Sequence, residues 1–106
     1  MAVAWAAIEA LSRGLAAELS PKGIRVVCLR SAAIPETEQI KEVFAIQAKS
    51  YGLTPEELKT RSEEKTLRQQ LPTLAEIANA AVFVASDQAS AMTGAVANLS
   101  GGAIVD

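Results

Sequence analysis

A chain of 106 residues suits one small domain, and 50% hydrophobic with 21% charged residues is a globular rather than a disordered balance. A net charge of -2 gives no basic footprint for nucleic acid or an anionic membrane, and the lack of histidine removes every mechanism that needs an imidazole. Cys28 is the only cysteine, so no disulfide closes within the chain and a reduced, cytoplasmic protein is expected.

The apolar start from Met1 to Ile8 lacks a basic segment and soon meets Glu9 and Arg13, so it does not read as a signal peptide. No apolar run reaches the roughly 18 residues that span a bilayer. From about Ala4 to Leu19, Ile8, Leu11, Leu15 and Leu19 form one stripe at helical spacing, which reads as a core helix. The alanines around it keep the cylinder slim and nearly apolar all round. That suggests neighbours on two sides, one of them a second subunit. Glu9 and Arg13 are spaced for an i,i+4 pair. Ser20-Pro21-Lys22-Gly23 closes the helix.

Ile24 to Leu29 is nearly continuous apolar sequence, the pattern of a parallel strand covered on both faces. Arg30 to Pro35 leaves the C-terminal end of that strand, the edge where open α/β sheets bind ligands. Thr37 caps a helix running to about Ser50, and Gly52 ends it. Thr54-Pro55-Glu56-Glu57 is a capping box with Pro at the first helical position. The mixed charges of about 36–70 mark a solvated helical excursion. Thr73 to Glu76 is a second capping box, opening a helix expected to turn Ile77, Ala78, Ala81, Val82 and Ala85 inward and to end near Ser86-Asp87. Ala95 to Leu99 is a second short strand, and Ser100-Gly101-Gly102 turns the chain. The expected fold is α/β, ordered helix, strand, helices, helix, strand, in a single domain over 1–106.

Catalytic constellations are sparse. Without histidine no Ser-His-Asp or Cys-His arrangement assembles. Cys28 in an aliphatic strand reads as a small core residue rather than a nucleophile. Nothing spaces carboxylates as a calcium loop, and no metal site is expected. Glu56-Glu57 and Glu63-Glu64 serve capping and solubility.

Four stretches in register resemble the C-terminal part of short-chain dehydrogenase/reductases: Ala6 to Leu11, Gly23 to Val26, Leu71 to Ala78, and Met92-Thr93-Gly94 through Gly101-Gly102. The resemblance covers essentially the whole chain. It implies a partial Rossmann-like fold, the C-terminal segment of a doubly wound parallel sheet, and an oxidoreductase lineage using NAD or NADP. It also shows what is missing. The family binds its dinucleotide on an N-terminal Gly-rich turn, and no such turn occurs here. The family's catalytic Tyr stands four residues before its Lys. Matching Ala6 to Glu9 places Met1 at the tyrosine and Trp5 at the lysine.

A thioether has no proton to give a carbonyl, and an indole neither lowers a phenol pKa nor holds a ribose. No catalytic residue is therefore assigned. After the strand the family has Pro-Gly, a hydrophobic residue whose backbone meets the nicotinamide amide, then Thr. The matching residues are Ser31-Ala32, then Ile34, then Glu36, with Thr37 one position late. By resemblance Ile34 and Thr37 are the candidate cofactor contacts, while the Glu36 carboxylate would repel phosphates. The chain is expected to be a truncated family member, incompetent for hydride transfer alone. The alternative is a non-enzymatic assembly module packing on a full-length relative. A homo-oligomer through the N-terminal helix and exposed strand edges is expected in either case.

Overall fold

Alanine is the strongest helix former, and a run of alanines without proline builds α1 over Ala2–Leu19. A computed structural model describes residues 2–106 of the chain, so Met1 and the tyrosine position assigned to it lie outside the described residues. Pro21 ends α1 in a 3₁₀ turn over Ser20–Lys22, and Gly23 (φ 85°) returns its N–H to the Ser20 carbonyl at 3.0 Å. The order continues with β1 (Cys28–Ser31), α2 (Glu38–Tyr51), α3 (Pro55–Glu64), α4 (Leu74–Ala85) and β2 (Val96–Leu99).

β1 and β2 form a two-stranded sheet. Gly94 N–H donates to Val26 O at 2.8 Å and Cys28 N–H to Ala95 O at 3.0 Å, so residue numbers rise together and the pair is parallel. The α/β class and element order are those expected. The strand itself begins four residues later than Ile24 and ends at Ser31. A strand requires a partner ladder, and Val26 N–H is taken by the Thr93 hydroxyl at 3.1 Å instead of by backbone.

The described residues fall into two compact units, each discontinuous in sequence. The first runs to Arg30 and resumes over Asn79–Ala97; the second comprises Ser31–Ala78 and Asn98–Asp106. In the first, Ala16 is the buried residue of α1, while Ile8 and Leu11 are 56% and 61% exposed. The expected core stripe of α1 is thus largely bare. On α4 the half-buried positions are Ile77, Ala80, Ala81 and Val84, and Val82 is 71% exposed, as Ala78 and Ala85 also are exposed. The expected inward face is corrected by a partial turn. A helix reading Leu-Ala-Glu-Ile-Ala-Asn-Ala-Ala-Val-Phe-Val-Ala is apolar nearly all round, so its pattern does not fix the buried phase.

In the second unit α2 and α3 pack on each other, with Phe44 and Ala48 buried one turn apart. Thr37 caps α2, and Thr54 with Glu57 completes the capping box of α3. Gly101 and Gly102, at φ 67° and 86°, bring the C-terminal turn against the 66–70 loop: Leu67 N–H reaches Gly102 O at 3.4 Å and Arg68 N–H reaches Gly101 O at 3.1 Å. No described helix is long and apolar enough to cross a membrane.

A Cβ on Gly102 would overlap the Leu67 Cβ, whereas one on Gly52 (φ 70°) meets open space. Gly52→Ala should therefore cost only the left-handed backbone penalty, about 1–2 kcal/mol. Gly102→Ala should cost that and about 1–3 kcal/mol of overpacking besides. Urea unfolding followed by circular dichroism checks the difference; equal losses would contradict the close approach.

Candidate functional site

β1 ends at Ser31, whose hydroxyl donates to Ala32 O at 3.0 Å as the loop begins. It tightens at Ile34 and Pro35. The Ile34 carbonyl accepts both the Thr37 N–H at 3.1 Å and the Thr37 hydroxyl at 2.9 Å. The same hydroxyl oxygen accepts from Ile40 N–H at 3.4 Å, which caps α2. The two candidate cofactor contacts are thus brought together, but they bond to each other. Both lone pairs of the Ile34 carbonyl are taken and the Thr37 proton is committed. A ligand amide meeting Ile34 would have to use its backbone N–H.

Glu36 points to neither of them. Its Oε1 accepts the backbone N–H of Leu74, the first residue of α4, at 2.9 Å. The rest of that helix start is held by a local network. Thr73 N–H donates to Glu76 Oε1 at 3.0 Å and Glu76 N–H to Thr73 Oγ1 at 3.1 Å, the reciprocal capping box expected. Arg68 grips the Glu76 carboxylate with both terminal nitrogens and donates besides to the carbonyls of Gln70 and Leu71. The guanidinium, with help from the Thr73 amide, holds the Glu76 carboxyl down at about 2.

In the first unit, Glu9 on α1 accepts from Arg30 Nε at 2.7 Å, both side chains being about one-fifth exposed. The sequence spacing pointed to Arg13, a near neighbour on the same helix; Arg30 lies at the end of β1 and fastens helix to strand. Arg25 donates to Ser86 O at 3.1 Å and Met92 O at 3.2 Å, placing its charge where α4 exposes its last carbonyls. Trp5, at the lysine position, lies one turn before Glu9 and is 56% exposed.

Among the described residues no cluster could hold a metal ion. Glu9, Glu36 and Glu76 are each bound to a structural partner. Trp5 has no ammonium to offer a ribose, and the Ile34 carbonyl and the Thr37 hydroxyl proton are already engaged. Sequence reasoning missed the partners of Glu36, Arg68 and Arg30. Arg68 stands eight residues before Glu76 and Glu36 stands 38 before Leu74, separations that no helical or strand period connects.

A carboxyl lowered from 4.5 to about 2 contributes stability that is complete above about 4.5 and lost as pH falls towards 2. The melting temperature should therefore drop across that window. Glu76→Gln should lower it at pH 7 and flatten the drop; a variant whose curve runs parallel to the native one would remove the Arg68–Glu76 pair as its source.

Residues 1–103 match the family model described as enoyl-(acyl carrier protein) reductase. The peroxisomal 2,4-dienoyl-CoA reductase of Saccharomyces cerevisiae is 35% identical over 99 residues, 93% of this chain and 30% of that protein. The crystal structure of a short chain dehydrogenase family protein from Francisella tularensis superposes with a TM-score of 0.85 at 24% identity, over 92% of this chain and 40% of that one, a likeness of fold. The N-domain of a bacterial malonyl-CoA reductase, crystallised with NADP, superposes with a TM-score of 0.76 at 32% identity, over 95% of this chain and 20% of that one. The chain spans about a third of the length of the curated relatives it matches. Its sheet and helices are a partial Rossmann-like fold, and the chain belongs to the short-chain dehydrogenase/reductase family.

Proposed function

We propose that these residues are the part of an NAD(P)-dependent oxidoreductase that carries the helix, strand and loop on the cofactor side of the sheet, and that the chain alone does not transfer hydride. The observation that carries this reading is Trp5. Its indole stands, exposed on α1, where the resemblance calls for an ammonium that would activate a phenol and hold a ribose. The loop supports it, since the Ile34 carbonyl and the Thr37 hydroxyl proton are engaged with each other. The NADP named with the malonyl-CoA reductase domain supports a nicotinamide lineage. With Cys28 as its single cysteine the chain closes no internal disulfide, which is compatible with the cytoplasmic setting proposed. Calorimetric titration of the chain with NADH and NADPH should give no saturable heat; binding in the micromolar range would overturn the incompetence.

A second reading, an assembly module, is favoured by α1. Val3, Trp5, Ile8 and Leu11 are all more than half exposed, and the buried apolar residues of the described chain are few: Ala16, Phe44, Ala48, Leu71 and Ala89. Covering what remains exposed of Ile8 or Leu11 stabilises by about 1–2 kcal/mol each. If α1 is the contact, Leu11→Glu should weaken self-association at least tenfold by light scattering. A native chain that stays monomeric at tens of micromolar would count against the module.

A further inference from the structure

We infer that Glu36 is a positioning residue, whose carboxylate ties the loop that follows β1 to the first turn of α4. Its neighbour Thr37 caps α2, so two adjacent residues fix the starts of two helices: Glu36 takes the Leu74 N–H at 2.9 Å, and Thr37 takes the Ile40 N–H at 3.4 Å. Four N–H groups at a helix start have no partner within the helix. In α4 the Thr73 hydroxyl satisfies that of Glu76, and the donor of Leu74 falls to Glu36. The bond leaves the carboxylate near a helix N-terminus, which favours negative charge.

This changes the meaning of a residue that seemed a misfit. At a position where the resemblance expects a threonine facing a cofactor, the acid is instead spent within the protein. The loop from Ser31 then has its far end pinned at Glu36-Thr37, and the Ile34 carbonyl is held by Thr37 just before the pin. The role of that loop on a cofactor side rests on the function proposed above; the tie itself does not.

Amide hydrogen exchange on the full chain without cofactor tests it, so its outcome is separate from that of the cofactor titration. Glu36→Ala should speed exchange of both the Leu74 and Thr37 amides about tenfold, the factor a lost cap bond carries. Glu36→Gln keeps an acceptor oxygen and should restore protection to within about twofold of native. Leu74→Pro deletes the donor where proline suits a helix start, and should loosen Thr37 as much as Glu36→Ala does. Combining the two should add nothing further. A Thr37 amide that stays protected in either single variant, or a glutamine that behaves like alanine, would overturn the inference.

Discussion

The unpaired donors at the start of α4 are the constraint on which the second unit depends. Thr73 to Glu76 are exposed, so water could take these N–H groups; side chains take them instead and so fix where the helix starts. The acceptors come from two places, Thr73 and Glu76 at the helix start itself and Glu36 from the loop after β1, while Arg68 clamps the Glu76 carboxylate. Arg68 also uses its backbone N–H on Gly101 O, so the C-terminal turn is drawn into the same network. An arginine is required there rather than a lysine, because only a planar fork can hold a carboxylate with two nitrogens while reaching two carbonyls.

The first unit is organised by a different economy. Its helix and strand are joined by Glu9 with Arg30, its loop ends by Arg25, and its turn by the Ser20 and Thr93 hydroxyls 2.6 Å apart. Its apolar surface is not spent to the same extent. The Trp5, Ile8 and Leu11 side of α1 remains in solvent, as do Ile24 and Val82. The curated relatives run to about three times the length matched here.

How much was legible in the sequence follows from how far apart interacting residues lie. The caps at Thr37, Thr54 and Thr73 were readable because a cap involves groups within three or four residues. The end of α1 was readable for the same reason. The start of β1 was not, since it is set by where a partner strand some 67 residues away begins to pair. Nor was the buried phase of α4, where apolar residues on every side leave the choice to tertiary contacts. The site was half legible. Resemblance selected Ile34 and Thr37, and the fold does place them together, but as the two ends of a turn. The sequence raised Glu36 only as an obstacle to phosphates and gave no sign of Leu74 as its partner.

The parallel pairing of β1 with β2 bears on how the chain reaches this state. Thr93 meets Val26 across 67 residues, and closing a loop of that length costs roughly 4 kcal/mol of chain entropy before any ladder bond repays it. The helices, whose contacts are local, form quickly, while the strands join late. Until they do, Val26 to Leu29 and Val96 to Leu99 are unpaired apolar edges, open to the same segments of other molecules. Slow refolding and a yield that falls with concentration are the kinetic signature of such a topology.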